Sequence, residues 1–323
     1  MELAETPENP IPSDPFCGLA TTPDGASLRY ARWHTDRPPC KGTVLLLHGR
    51  AECIEKLFET VSDLRRSGFD VLTFDWRGQG GSSRQLKDKH RGYVEDFKQY
   101  VTDLETILDT IALPDCRSPF FILAHSTGGL VSLLAAPRLV NRVERMVLTS
   151  PFLGFGPIPI SGGVLKFLTG TLCAFGLGSL YLGSGASPEE KKPFTGNRLT
   201  SDTRRFARNA TFAASNPELS IGGPTAAWLF AAGRAMDEVN DPDFIGSVNI
   251  PSLLVMAGSD VVVSNRAIEE MGRRLRSGKM VAIHGARHEI LQERDTYREQ
   301  LLAAFKAFVP GESPARPVRK RKG

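Results

Sequence analysis

Short apolar runs alternate with amphipathic stretches along most of the chain. Six runs are rich in apolar residues, and the first is continuously apolar, as a strand covered on both faces must be. They are residues 43–47, 71–74, 120–123, 143–148, 252–256 and 280–283. Four longer stretches carry apolar residues at helical spacing, at 54–64, 97–111, 268–275 and 297–308. This alternation predicts an α/β protein with a mostly parallel sheet and helices on both faces.

The pattern changes at two places. Before the first apolar run, residues 16–20 and 28–33 flank a turn at 23–25, which predicts an antiparallel pair of strands. Between residues 151 and 245 the alternation stops, and a Gly- and Pro-rich apolar segment is followed by polar helical sequence. We interpret this second change as an inserted, mainly helical cap.

The predicted organisation therefore has four parts. Residues 1–25 form an N-terminal extension and the start of the first strand pair, and residues 26–150 and 246–309 form the core. The cap occupies residues 151–245. A basic tail occupies residues 310–323.

Residues 151–183 are unusually apolar. Their single charged residue is Lys166, which raises the question of a membrane span. The lysine, the glycines and the position inside one predicted domain argue against a span. We expect the segment to form either the core of the cap or an apolar wall for an acyl chain.

Composition and charge narrow the functional classes. The chain has 323 residues, of which 41% are hydrophobic, and this excludes a disordered protein. The formal net charge is +4, and residues 310–323 account for all of it with five basic residues and one glutamate. The rest of the chain sums to zero, which argues against a nucleic-acid-binding face. We expect the tail to be disordered, either simply solvated or in peripheral contact with an anionic membrane.

Cysteines and the N-terminus indicate the compartment. The five cysteines are scattered, which fits neither a disulfide framework nor a zinc site. They are Cys17, Cys40, Cys53, Cys116 and Cys173. Residues 1–15 are acidic and proline-rich, without the basic and apolar regions of a secretory signal. We therefore expect a cytoplasmic protein that holds no metal.

Ser126 lies in the strongest chemical motif. The apolar strand at 120–123 leads into the segment 124–129, AHSTGG, and helical sequence follows. A nucleophile on a sharp strand-to-helix turn needs small neighbours, because its backbone is strained and crowded. Small residues stand on both sides, although alanine occupies the first glycine position of the G-x-S-x-G pattern. We predict that Ser126 is a nucleophile.

A serine nucleophile needs a general base, and the chain has six histidines. Four of them lie in the early strands, in a charged loop or beside the serine, where they are poorly placed. His284 ends the last predicted strand, whereas His288 lies in the loop after it, so we predict His288 as the base. Asp260 closes the preceding strand and leaves the same sheet edge, so we predict that it orients His288. The order Ser, Asp, His is that of the α/β-hydrolases.

Two other strand ends carry motifs. The turn at 48–50 follows the first parallel strand, and we predict that the backbone N–H groups of Arg50 and Thr127 form the oxyanion hole. The glycine-rich loop 75–82 lacks the patterns of phosphate-binding loops, which argues against nucleotide binding. We expect its Asp75 and Arg77 to hold the loops that shape the oxyanion turn.

Together these motifs resemble the bacterial lysophospholipase and monoacylglycerol lipase group of the α/β-hydrolases. The resemblance is carried by residues 48–52, 75–82, 125–129, 258–260 and 287–288, and it extends over about residues 26–309. It implies an eight-stranded sheet, a cap over the active site, and hydrolysis of single-chain acyl esters without a cofactor. The His-Gly-Arg-x-Glu turn favours the lysophospholipase branch.

The sequence thus predicts a serine hydrolase that cleaves carboxylic esters of single-chain lipids through an acyl-enzyme. The alternative enzyme is an aminopeptidase of the proline-iminopeptidase type, which the same superfamily includes. An aminopeptidase would need an acidic group in the cap to hold the substrate amine, and Glu189, Glu190 and Glu218 are candidates. A non-catalytic binding module would show an incomplete Ser-Asp-His set, and here the set is complete.

Overall fold

Eight strands form one sheet in the computed structural model, which describes residues 2–182 and 193–309. The strands are β1 (Phe16–Thr21), β2 (Ser27–Trp33), β3 (Thr43–Leu47), β4 (Asp70–Phe74), β5 (Phe120–His125), β6 (Arg145–Thr149), β7 (Ser252–Ala257) and β8 (Gly278–Ile283). Their order is β1-β2-β4-β3-β5-β6-β7-β8. The pairs β1–β2 and β2–β4 are antiparallel and the others are parallel. The prediction of a mostly parallel, eight-stranded sheet is confirmed.

The central strands are buried on both faces. Every residue of β3, β4, β5 and β7 is buried. Helices cover both faces of a parallel sheet, so these strands show continuous apolar runs instead of alternation. Since β3, β5, β7 and β8 run in the same direction, the loops that follow them meet at one edge of the sheet.

Helices pack on both faces of the sheet. The α-helices among the described residues are α1 (Phe58–Arg66), α2 (Phe97–Ile107), α3 (Leu113–Asp115), α4 (Thr127–Leu139), α5 (Gly162–Ala174), α6 (Thr203–Ser215), α7 (Ala226–Asn240), α8 (Pro242–Ser247), α9 (Asn265–Arg274) and α10 (Asp295–Phe308). Val61 of α1 and Leu301 of α10 belong to the core on one face. Leu104 of α2 and Val131 of α4 belong to the core on the other. The sheet therefore lies between two apolar layers.

Helices α5 to α8 lie between β6 and β7, where the sequence predicts the insert. Each begins at a polar side chain that accepts a hydrogen bond from a backbone N–H of its first turn. These side chains are Ser161, Asp202, Thr225 and Asp241. Among the described residues no helix is long and apolar enough to cross a membrane. The basic tail at 310–323 lies outside the described residues.

Arg205 joins the insert to the core. It lies on α6 and is buried, and its Nε and Nη2 donate to the carboxylate of Glu59 on α1 at 2.9 and 2.6 Å. Arg208 donates to the same carboxylate at 2.7 Å. Burial raises the pKa of Glu59, but Arg205, Arg298 and Arg208 outweigh burial and lower this pKa to about 2. An ion-pair network thus holds α6 against the core.

Candidate active site

Ser126 lies at the turn between β5 and α4. Its φ of 50° and ψ of −112° belong to a region that residues with side chains rarely adopt. The turn is also crowded, because a Cβ on Gly128 would lie only 2.7 Å from the carbonyl oxygen of His48. Strain of this kind persists only where the surrounding structure holds it, and it concentrates at functional sites.

The structure brings together the three side chains that the sequence predicts to act in concert. The Nε2 atom of His288 is 3.1 Å from the Oγ of Ser126. The Nδ1 atom of His288 is 2.7 Å from Oδ2 of Asp260. Asp260 follows β7 and His288 follows β8, so both reach Ser126 from the same edge of the sheet. The three groups form one continuous hydrogen-bonded chain.

Asp260 is held as a carboxylate. Its Oδ1 accepts from the backbone N–H groups of Val262 at 2.7 Å and Val263 at 3.1 Å. Burial raises the pKa of Asp260, but the hydrogen bond and charge of His288, together with these N–H groups, hold the pKa below its ordinary value. An ionised Asp260 accepts a hydrogen bond from the Nδ1–H of His288, and this tautomer leaves Nε2 unprotonated and able to accept the hydroxyl proton of the serine.

The turn after β3 lies close to Ser126. A Cβ on Gly49 would lie 3.2 Å from the Cβ of Ser126, so a larger residue at position 49 would push this turn away from Ser126. Side chains hold the N–H groups on both sides of Arg50: Gly49 donates to Glu52 Oε2 at 2.5 Å, and Ala51 donates to Gln79 Oε1 at 2.6 Å. Ala51 has a φ of 61°, so these bonds hold a strained turn.

The two predicted oxyanion donors belong to different elements. Thr127 is the first residue of α4, where N–H groups lack partners within the helix and the helix dipole favours an anion. Arg50 lies in the turn after β3, and its side chain extends to the insert. There it donates to the carbonyl of Gly222 and lies 5.3 Å from the ring centroid of Trp228.

Asp75 links the oxyanion turn to the sheet. Its Oδ1 accepts from the N–H of Ile54 at 2.9 Å. Its Oδ2 accepts from Nε of Arg29 at 2.7 Å and from the N–H of Gly81 at 2.8 Å. The Nε2 atom of His48, at the start of the turn, is 3.5 Å from Oδ1. Asp75 therefore contacts the chain on both sides of the oxyanion turn, at His48 where the turn starts and at Ile54 after it.

His125 is a neighbour of the site that the sequence reasoning set aside. Its ring centroid is 4.8 Å from that of His288, and its Nδ1 is 3.2 Å from Oγ1 of Thr149. Burial lowers the pKa of His125 to about 4, so the ring is neutral at pH 7 and adds no positive charge beside His288. The sequence feature that could indicate a role for His125 is its position directly before Ser126. His284, in contrast, is exposed just beyond β8.

A largely apolar cavity of about 580 Å³ opens beside Ser126. Much of its wall comes from apolar side chains of the insert and of the loop after β6. These include Phe152, Phe155, Ile158, Leu165, Trp228 and Leu229. Phe167 and Leu168 belong to the same apolar segment but are 72% and 49% exposed. Only part of the segment thus forms a wall of the cavity.

Four charged residues of the described chain also line this cavity. They are Arg50, Glu52, Arg198 and Glu289. The Nζ atom of Lys56 lies 3.0 Å from Glu52 and 2.7 Å from Glu289, so both carboxylates are paired. The sequence does not single out Lys56 or Glu289. What could indicate them is that Lys56 lies four residues after Glu52 and that Glu289 directly follows His288. Within residues 2–182 and 193–309, no group of three or more His, Cys, Asp or Glu could hold a metal ion.

Comparisons with known proteins agree with this geometry. A family model described as serine aminopeptidase, S33, matches residues 38–295. The chain is 33% identical over 288 residues to lysophospholipase L2 of Escherichia coli (strain K12), covering 87% of this chain and 82% of that protein. It is 31% identical over 178 residues to the monoglyceride lipase of Rattus norvegicus, covering 55% of each.

Solved structures show the same fold. A soluble variant of monoglyceride lipase from Saccharomyces cerevisiae, in complex with a substrate analog, has a TM-score of 0.74 at 20% identity and covers 93% of this chain and 97% of that one. A monoacylglycerol lipase from Paleococcus ferrophilus has a TM-score of 0.68 at 20% identity, covering 88% and 98%. The predicted α/β-hydrolase fold is confirmed.

Proposed function

The chain belongs to the S33 serine aminopeptidase family of hydrolases, and from this premise we propose that it hydrolyses carboxylic esters of single-chain lipids. The observation that carries the proposal is the hydrogen-bonded chain of Ser126, His288 and Asp260 beside an apolar cavity of about 580 Å³. Relatives named lysophospholipase and monoglyceride lipase support lipid esters as substrates. Apolar walls suit an acyl chain, since each methylene that is buried contributes about 0.8 kcal/mol to the free energy of binding.

In the first half of the reaction, Ser126 Oγ attacks the ester carbonyl carbon and its proton passes to Nε2 of His288. Asp260 accepts the hydrogen bond from Nδ1 and stabilises the imidazolium. The N–H groups of Arg50 and Thr127 donate to the oxygen that becomes negative. The C–O bond to the alcohol then breaks, His288 returns its proton to the leaving oxygen, and the acyl group stays on Ser126.

In the second half, a water molecule attacks the acyl-enzyme. His288 takes a proton from the water, and the same two N–H groups stabilise the second tetrahedral intermediate. The bond to Ser126 Oγ breaks and the serine regains its proton from His288. The products are a free fatty acid and the alcohol released earlier, so no cofactor takes part in the proposed reaction.

The aminopeptidase alternative is less well supported. It requires an accessible carboxylate for the substrate amine, and Glu52 and Glu289 of the cavity wall are already paired with Lys56. Glu218 is exposed and does not line the cavity. The other candidates, Glu189 and Glu190, lie outside the described residues.

The head group is the finer part of the proposal. Arg50 and Arg198 of the cavity wall favour a head group that contains an anionic phosphodiester, as in a lysophospholipid, over the neutral glycerol of a monoacylglycerol. The purified protein should therefore hydrolyse lysophosphatidylcholine faster than monoacylglycerol, and both faster than aminoacyl-naphthylamides. Ser126→Ala is the control, because activity that survives it does not come from this site.

We also propose that the enzyme is cytoplasmic and contacts anionic membranes peripherally through its basic tail. Five Lys and Arg residues within 310–323 support this, since each contributes about 1 kcal/mol to the free energy of binding at an anionic membrane surface. Exposed apolar side chains of the insert add support. Phe167 and Phe175 are 72% and 78% exposed, and Ile158 is 41% exposed while also lining the cavity.

Cosedimentation with phosphatidylglycerol vesicles at low salt tests the tail. We expect the full chain to bind more strongly than a chain ending at Val309, and added salt to remove the difference. Equal binding of both chains would exclude a role for the tail. Phe167→Asp on the shortened chain then measures the apolar contribution separately, with phosphatidylcholine vesicles.

A further inference from the structure

Lys56 lies between two loops of the active site. Its Nζ is 3.0 Å from Oε1 of Glu52 in the oxyanion turn and 2.7 Å from Oε1 of Glu289, the residue after His288. All three side chains are buried, with exposed fractions of 6–7%. The backbone of Lys56 also takes part, because its carbonyl accepts from Nε2 of Gln292 at 2.9 Å.

Each carboxylate that Lys56 contacts also controls a reacting group. Glu52 accepts the hydrogen bond from the N–H of Gly49, which fixes the turn that contains the oxyanion donor Arg50. Glu289 is bonded through the backbone to His288, and its own N–H donates to the carbonyl of Leu199 at 2.8 Å. A movement of either carboxylate would therefore move either the oxyanion turn or the base.

Two buried carboxylates this close to one another repel unless a cation lies between them. Burial raises the pKa of Glu52, but the charge of Lys56 is the largest opposing influence, and the pKa lies below its ordinary value. The ammonium thus favours the ionised form of Glu52 in the wall of the cavity. Without it, one carboxylate would take up a proton or turn away from the other.

Resting on the proposed function, we infer that Lys56 is a positioning residue that holds the oxyanion turn and the histidine loop at a fixed separation. It contacts no reacting atom and acts through Glu52 and Glu289. The transition state needs both loops at once, since one supplies an N–H donor and the other the base. Ground-state binding of the acyl chain depends instead on the apolar walls. Loss of Lys56 should therefore lower kcat and leave KM nearly unchanged.

The test compares Lys56→Met with Lys56→Arg on p-nitrophenyl butyrate, a soluble ester that needs no lipid surface. We expect Lys56→Met to lower kcat about 10- to 100-fold with KM changed less than about two-fold, and Lys56→Arg to recover most of the loss. The rate of fluorophosphonate labelling of Ser126 should fall by a similar factor, because that reaction uses the same turn and the same base.

Arg65→Met is the matched control for removing a buried cation. Arg65 is 6% exposed and bonds to the backbone of Ser13 and His34, away from the site. It should lower the melting temperature without lowering kcat of the folded enzyme. If Lys56→Met keeps the wild-type kcat, or if Lys56→Arg is as slow as Lys56→Met, the positioning role is wrong.

A second variant covers the case in which Lys56→Met does not fold. Glu289→Gln keeps the size and a hydrogen-bond acceptor, and we expect kcat to fall about three- to ten-fold at unchanged KM. An unchanged kcat for Glu289→Gln would mean that the ion pair between Lys56 and Glu289 does not position His288. Failure of the proposed function is a separate result, since it would appear as ester hydrolysis or labelling that persists in Ser126→Ala.

Discussion

The sheet and the insert are both rich in apolar side chains, but they place them differently. Every residue of β5 is buried, whereas the thirteen residues of α5 include one buried residue, Thr169. Phe175, just after α5, is 78% exposed. Apolar residues within a strand-and-helix alternation therefore become core. The apolar residues of the segment 151–183, which lacks that period, are divided among the core, the cavity wall and an outer surface, with Leu153 in the core, Leu165 at the cavity and Phe175 at the surface.

The proposed mechanism places the chemistry in the loops of the core and the substrate contacts in the insert. Its strongest test uses two neighbouring histidines. We expect His288→Ala to lower kcat by about 10⁴-fold or more, because the serine loses its base. His284→Ala should retain activity within about two-fold, since His284 is exposed beyond β8. Ester turnover with a thermal melt as a folding check measures both, and the reverse ranking would contradict the assignment.

Two leucines test the difference in packing. Leu46 of β3 is fully buried, so Leu46→Ala should lower the free energy of unfolding by about 2–5 kcal/mol. Leu168 of α5 is 49% exposed, so Leu168→Ala should change it by less than about 0.5 kcal/mol. Urea unfolding of both variants gives the values. A comparable loss for Leu168→Ala would mean that α5 packs against something in solution.

The contact between the two regions can be weakened at one carboxylate. Glu59→Gln removes the charge that Arg205 and Arg208 share, and we expect a loss of about 1.5–3 kcal/mol in the free energy of unfolding at pH 7. The pKa of Glu59 is lowered to about 2 from its ordinary 4.5. Its stabilising contribution is therefore complete above about pH 4.5 and is lost as the pH falls toward 2.

Melting temperatures of wild type and Glu59→Gln between pH 7 and pH 2.5 measure this. The difference between the two proteins should stay constant down to about pH 4.5 and shrink below it. A difference that grows at low pH would mean that Glu59 is not held as a carboxylate by these arginines.

The smallest expected effect separates two sides of α5. Leu165 lines the cavity, so Leu165→Asp should raise KM for a dodecanoyl ester about three- to ten-fold more than for an acetyl ester. Leu168→Asp should change the two KM values alike, because Leu168 faces away from the cavity. Equal behaviour of the two variants would mean that the acyl chain does not pass along this part of the insert.

Sequence patterns predict the core well because each central strand meets the same requirement, which is burial between two layers of helices. A run such as 43–47 is buried on both faces, and the strand-to-helix turn around Ser126 must carry small residues. Both patterns can therefore be recognised from the local sequence. The apolar segment at 151–183 suggested a wall, but nothing local told which of its side chains, Leu165 or Leu168, faces the cavity.

Long-range polar contacts were the least predictable part of the site. Lys56 follows a motif turn and resembles an ordinary charged residue of a helix, yet it is buried against a carboxylate 233 positions away. Its role depends on which loops the sheet order brings together. A single sequence contains that information only through the complete fold.

The distance along the chain between Ser126 and His288 also has a consequence for biosynthesis. They are 162 positions apart, and at about 5–20 residues per second a ribosome needs roughly 10–30 seconds to cover that interval. During this time the nascent chain carries the serine but lacks His288, and Asp260 is added only 28 positions before His288. Under the proposed mechanism, hydrolysis can begin only after β7 and β8 have joined the sheet, so we expect that unfinished chains do not consume lipid.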